Sequence, residues 1–310
     1  MAKAAELSTV SVKRRRKKIT TQDIAPYIFV SPFILSFIIF LAYPLSQAFW
    51  LSFQQSIPFS LDTEWIGIEN FIRVANDHRF FTALWNVARY TFWTLLILIP
   101  LPMFLAYIVN SKLTKFKSLL RSLYFIPVLA SGVIAGIVFQ HMFSSEPSGF
   151  FNEFIGFFGA EPVRWLHRSH TGMFALVTIA VWRWMGVNMI YFLSGLNNVP
   201  TELYESAEVD GANGPQKFLF ITTPMLRPII IFVLTISITA GFSLFNESYV
   251  FWGLTSPEDI GTTIVILIYR AAFFLNDFGY AATLGVSLFI IVLIVNLIQL
   301  KIMGLFKKED

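Results

Sequence analysis

The chain has no cysteine among its 310 residues, which excludes disulfides, thiol catalysis and cysteine-based metal sites. It is also short of charge. Asp, Glu, Lys and Arg together make up 14% of the residues, against about 25% in ordinary soluble domains. No Gly-x-x-x-x-Gly-Lys-Ser/Thr sequence occurs, so the chain has no phosphate-cradling loop of its own. The four histidines are scattered, and no histidine pair or carboxylate constellation argues for hydrolysis. Neither catalytic residues nor a metal site are expected.

What the chain does have is apolar length. Hydrophobic residues make up 55% of it and phenylalanine alone numbers 34, and the mean hydropathy is +0.65. A spanning helix needs about 20 mostly apolar residues, and six stretches qualify. They run at about 26–53, 86–109, 119–143, 172–196, 228–254 and 280–303. The expected fold is therefore an all-α membrane protein of six transmembrane helices. Residues 1–25 read as a basic tail and residues 26–310 as one transmembrane domain. The tail carries Lys13-Arg14-Arg15-Arg16-Lys17-Lys18, and the apolar stretch after it is too long for the core of a cleaved signal peptide. The net charge of +4 is explained by basic residues flanking the spans, so no nucleic-acid partner is expected.

Lys and Arg also set the orientation, because cytosolic loops are enriched in them. With the N-terminus inside, sixteen of these residues fall on inner segments and five, Arg73, Arg79, Arg164, Arg168 and Arg270, on outer ones. Both termini are then cytosolic, as is the loop at about 201–225. The two longer outer segments, 54–84 and 144–171, contain Trp, Gly and mixed charge and are expected to form small ordered caps.

The 201–225 loop is the most polar long stretch in the second half of the chain, with carboxylates at Glu202, Glu205, Glu208 and Asp210. Thr201 is placed to cap a short helix, with acidic residues at its positive end. Gly211 and Gly214-Pro215 end that helix, and a second short helix follows before Pro224. Such a pair outside the membrane reads either as a solvated loop or as a unit that docks into a groove on a soluble partner.

Polar residues at membrane depth are costly and are functional candidates. The fourth span offers Trp182, Arg183, Trp184 and Asn188, and the fifth offers Phe245, Asn246, Glu247 and Tyr249. Aromatic rings suit the CH faces of sugars, and Asn, Arg and Glu suit their hydroxyls. Arg183 and Glu247 lie roughly 10–16 Å inward from the outer helix ends at about 1.5 Å per residue. They read as sugar contacts, as an ion pair, or as contacts to another subunit. Ser237, Thr239, Thr283, Ser287 and Asn296 read as interhelical glue, and Gly132-x-x-x-Gly136 reads as close helix packing.

The loop spacing resembles the coupling motif of bacterial ABC-importer permeases. In that motif Glu-Ala-Ala is followed after three residues by Gly, and after nine more by Ile-x-Leu-Pro. Here Glu205-Ser206-Ala207, Gly211 and Ile221-Thr222-Thr223-Pro224 keep the spacing throughout, with Ser206 for Ala and Thr223 for Leu; Asp210-Gly211-Ala212 fits as well. Further segments resemble the first permease of carbohydrate importers, among them Trp65-Ile66-Gly67-Ile68-Glu69-Asn70-Phe71 and Arg121-Ser122-Leu123-Tyr124-Phe125-Ile126-Pro127. The resemblance implies a type I importer permease fold with a coupling helix between spans four and five, in the bacterial cytoplasmic membrane. It also implies a sister permease, two copies of an ATPase subunit that carries the ATP and Mg, and an extracytoplasmic solute-binding protein that delivers a sugar. Glu205 would pair with a basic residue of the ATPase. In the related maltose permease the sugar pocket lies in the two regions named above, so the resemblance carries location but not residue chemistry. An importer of glycerol phosphate or polyamine is the neighbouring alternative. An intramembrane enzyme or channel is the distant one.

Overall fold

The computed structural model describes residues 21–56, 63–111 and 114–305. The basic run at 13–18 and the C-terminal Lys307-Lys308 lie outside them. The chain separates into two units, residues 1–47 and 48–310.

The first unit is helical: α1 (Thr21–Phe37), a wide π turn (Ile38–Ala42) and the start of α2 (Tyr43–Leu51). The π turn sits immediately ahead of Pro44. A proline ring clashes with the carbonyl four residues back, and the wide turn relieves this: Tyr43 N donates to Ile38 O instead.

In the second unit a hairpin, β1 (Gln54–Ser56) with β2 (Thr63–Trp65), is antiparallel with Gln54 opposite Trp65. It leads into α3 (Glu69–Asn76), α4 (His78–Leu98), α5 (Pro100–Asn110), α6 (Lys117–Leu129), α7 (Gly132–Met142) and α8 (Phe150–Gly156). Next come α9 (Ser169–Leu196), α10 (Thr201–Val209), α11 (Gly214–Lys217), α12 (Thr223–Met225) and α13 (Arg227–Phe242). The unit ends with α14 (Asn246–Trp252), α15 (Ile264–Phe273) and α16 (Phe278–Ile302).

Among the described residues five helical stretches are long and apolar enough to cross a membrane: Ala25–Leu51, His78–Asn110, Ser169–Leu196, Arg227–Trp252 and Phe278–Ile302. The expected third span is not straight. It is the pair α6 and α7, bent by 94°. Ala130 and Ser131 adopt extended backbone angles between the two helices, three residues after Pro127. If this pair counts as one span, the total is six.

Helix α9 is the axis of the second unit and packs on α4, α5, α6 and α13. Between membrane helices association depends on close packing, so small residues line the contacts. The tightest contact is at Gly186, where an added Cβ would run into the Tyr124 carbonyl of α6. Gly132 and Gly136 of α7 likewise face Asn246 and Val250 of α14, which is the close packing expected of that spacing. Fully buried Leu176, Ile179, Met189 and Phe192 of α9 fill two of the three apolar clusters. The third joins α4, α13, α15 and α16 through Val87, Phe242, Ile264 and Leu284. Thr283 Oγ1 donates to Ser52 O at 3.0 Å, and Asn296 Nδ2 donates to Thr239 Oγ1 at 3.3 Å; both act as the interhelical glue expected of them.

The described parts of the two segments expected to form caps are held by side-chain bonds. Asn70 Nδ2 holds the hairpin through Ser52 O and Gln54 O. Asn152 is the hub of the second cap: its Nδ2 donates to Ser144 O, Glu146 O and Val163 O, and its Oδ1 accepts from Val163 N and Trp165 Nε1.

Candidate functional site

Three interrupted spans meet at one place beside unbroken α9. The first break falls between α4 and α5 at Leu98–Ile99, the second between α6 and α7, and the third between α13 and α14 at 243–245. Two of the breaks, α4–α5 and α13–α14, border with α9 a cavity of about 460 Å³, within the range of small-molecule sites. Backbone that leaves the helix at membrane depth is tolerated where it borders a cavity or is buried in protein. In membrane transporters, broken helices are a recurring location for cargo.

The first two breaks are each bridged by a side chain of α9. The Leu98 carbonyl has no helical donor, because the residue four positions on is Pro102. Buried Asn188 of α9 supplies one, its Nδ2 lying 3.0 Å from Leu98 O. At the second break Arg183 Nη2 donates to Ala130 O at 3.4 Å. The same guanidinium pairs with Glu247 of α14, and each of these two side chains is 12% exposed. It also lies over the Trp184 ring, 5.5 Å from its centroid.

The cavity wall includes Arg183, Trp184, Asn188, Phe245, Asn246 and Glu247, six of the eight substrate-pathway candidates. Of the other two, Trp182 packs on Phe139 at 5.3 Å between ring centroids. Tyr249 stacks on Phe245 at 5.2 Å and 19°. Tyr90 and Thr94 of α4 also line the wall, as do Ser237 and Ser243. Sequence reasoning missed Tyr90 and Thr94. Their spacing of four places them on one helix face, which was a usable signal once α4 was known to face the cavity.

A second constellation lies between α9 and α13. Helix α10 begins at Thr201 with Pro200 in the cap position, so the Thr201 side chain caps nothing. The helix ends in a Schellman turn. Ala212 N donates to Ala207 O at 2.8 Å and Gly211 N donates to Glu208 O at 3.1 Å, while Gly211 has φ +81°. That left-handed position with this bond pair is the glycine stop signal of helices. Asn213 and Gln216 then form a reciprocal capping box at the start of α11. A second π turn, Phe218–Thr222, precedes Pro224 as the first precedes Pro44. Lys217 Nζ pairs with Glu208 at 2.9 Å, and Tyr204 Oη meets buried Thr222 Oγ1 at 2.9 Å. The two short helices are therefore tied into one unit. Glu205, Ser206, Asp210, Gly211 and Pro224 are exposed on it, whereas Ala207, Ala212 and Ile221 are partly buried. Val209 is 89% exposed, an apolar tip for which the sequence held no signal.

The family described as binding-protein-dependent transport system inner membrane component matches residues 10–302. The chain belongs to it. The permease is 47% identical to the arabinooligosaccharides transport system permease protein of Bacillus subtilis (strain 168), over 92% of this chain and 90% of that one. Its fold matches a chain from the crystal structure of a bacterial ABC transporter involved in the import of the acidic polysaccharide alginate. That match has TM-score 0.80 and 23% identity, covering 93% of this chain and 97% of the other. A second structure, of the bacterial alginate transporter in complex with an alginate pentasaccharide-bound periplasmic protein, matches with TM-score 0.78 and 24% identity, covering 94% and 99%.

Asn188 of the permease does structural work at the cavity wall. Asn188→Leu removes the amide that donates to Leu98 O and takes the partner from a buried carbonyl, a cost of about 1–3 kcal/mol. The expected result is lower thermal stability of the purified protein with an unchanged preference among sugars. A changed preference at wild-type stability would make Asn188 a cargo contact instead.

Proposed function

We propose that the permease carries an arabinose-containing or related neutral oligosaccharide into the cytosol as one subunit of an ATP-driven importer. Six spans place both termini, and the α10–α12 unit, on the cytosolic side of the bacterial plasma membrane. The chain itself hydrolyses nothing. ATP and Mg are held by two copies of a separate ATPase subunit, a second homologous permease completes the membrane portion, and an extracytoplasmic binding protein delivers the cargo.

The observation that carries this reading is the α10–α12 unit. It is an exposed helix with Glu205 and Asp210 on its surface, stopped by a left-handed glycine and bonded to the segment that leads into α13 through Glu208–Lys217 and Tyr204–Thr222. A solvated loop needs none of that internal bonding. A lever that transmits force between a soluble partner and the spans does. Closure of the ATPases moves such levers, and the broken spans around the cavity give rigid pieces that can rearrange between outward and inward access. Glu205, Asp210 and Val209 form the face offered to the ATPase, with Glu205 meeting a basic residue there.

Arabino-oligosaccharide fits because the B. subtilis relative is named for that cargo and because Trp184, Phe245 and Tyr191 give the cavity aromatic walls. A glycerol-phosphate importer would be better served by uncompensated positive charge, and here Arg183 is paired with Glu247. The test is co-expression of the chain with its genomic neighbours, followed by purification. An ATPase subunit and a second permease should co-purify, and vesicles containing the complex and binding protein should accumulate labelled arabinotriose when ATP is supplied on the ATPase side. A complex without an ATPase would sink the proposal.

A further inference from the structure

Among the described residues lining the cavity, two are charged, Arg183 and Glu247, and they are paired with each other. The rest of the wall is apolar, aromatic or neutral and polar. The pair therefore cancels the net charge of a largely desolvated site. Resting on the proposed sugar-import function, we propose that Glu247 determines the charge selectivity of the cavity: by neutralising Arg183 it suits the site to uncharged sugars and removes its attraction for carboxylated ones.

The argument depends on Arg183 staying in place when its partner is changed, and the structure provides for that. Its Nη2 is bonded to the Ala130 carbonyl at the α6–α7 break. Its Nη1 sits against Gly132, where an added Cβ would stand 3.1 Å away. The ring of Trp184 lies beneath the guanidinium. Removing the Glu247 charge would leave a fixed cation in the wall of a cavity open to cargo. Arginine recognises carboxylates through its planar fork, and a hydrogen bond to a charged group contributes about 1.5–3 kcal/mol. The same fold serves an importer of the acidic polysaccharide alginate, so cargo charge varies on this scaffold and must be set by side chains.

The reciprocal change makes the opposite statement. Without Arg183, Glu247 is the uncompensated group, and a cationic sugar gains. A pair that serves only to hold α9 against α14 predicts loss of stability in both variants and no change in selectivity in either.

The experiment uses the complete importer in lipid nanodiscs and three probes that share one ring: D-galactose, D-galacturonate and D-galactosamine. Competition binding gives affinity ratios for wild type, Glu247→Gln, Arg183→Gln and the double variant. In Glu247→Gln the galacturonate-to-galactose ratio should rise about 10- to 100-fold, the span of one charge-assisted bond, and should fall with added salt. In Arg183→Gln the galactosamine ratio should rise instead, and the double variant should return to the wild-type order. If Glu247→Gln fails to assemble, the Arg183→Gln arm and the double variant carry the test. Wild-type ratios in the variants that assemble would overturn the proposal. Loss of arabinotriose uptake by wild-type vesicles would overturn the sugar-import reading separately, since the ratio shifts are read without transport.

Discussion

A Gly211→Val permease should reach the membrane and assemble, yet lose at least about nine-tenths of its ATP-driven uptake, the equivalent of about 1.4 kcal/mol in coupling. Gly211 holds φ +81°, and an added Cβ there meets nothing within 4 Å. The penalty is therefore conformational and not steric. A left-handed residue with a Cβ costs roughly 1–2 kcal/mol, and a β-branched one suits the position least. The strain falls on the turn that closes α10, where the Ala212 and Gly211 amides meet the carbonyls of Ala207 and Glu208. Relaxing it re-aims α10 relative to α11 without touching the cavity, which on the proposed coupling role interrupts transmission from the ATPase. Gly211→Asn is the control, because asparagine visits the left-handed region readily, and it should keep most of the uptake. The measurement is uptake beside ATPase activity in the same vesicles. Gly211→Val with uptake near wild type would show that α10 does not transmit the nucleotide cycle.

Gly186→Val should prevent a stable fold, with little protein recovered in the membrane fraction. The side chain would enter the space of the Tyr124 carbonyl and the Phe125 amide, both backbone groups of α6, so no rotamer change relieves the clash. Overpacking in interiors costs about 1–3 kcal/mol and occasionally more, and here α6 would have to withdraw from α9. That would take Ala130 and the α6–α7 break away from Arg183. Gly186→Ala makes the milder case: the melting temperature of detergent-solubilised protein should drop by several degrees. A Gly186→Ala protein as stable as wild type would mean that α6 and α9 are not held in this close contact.

Most ends of the apolar runs were readable because hydropathy reports length directly: α9 begins three residues earlier than expected and ends where it was placed, whereas the second span begins eight residues early, at His78, because its first turns are polar. The 201–225 unit was readable for a different reason. Most of its bonds are local, such as Lys217–Glu208 and Asn213–Gln216, so spacing and turn chemistry carry the information. The internal breaks were not readable. Ala130 and Ser131 are unremarkable in sequence, and their extended conformation is satisfied by Arg183, fifty-three residues away in the chain. Asn188 shows the same limit. A polar residue in an apolar run signals a role, but only its position beside Leu98, ninety residues away, shows that it stands in for the amide Pro102 lacks.

Composition, apolar run length and the Glu205-to-Pro224 spacing were enough to establish a helical membrane protein of the permease family with a pair of short polar helices between two spans, because each depends on residues near one another in the chain. That Arg183 meets Glu247, and that two broken spans enclose one neutral cavity against α9, came from packing. Both depend on which helix faces are apposed across the fold, and in spans apolar on every side no sequence period marks those faces.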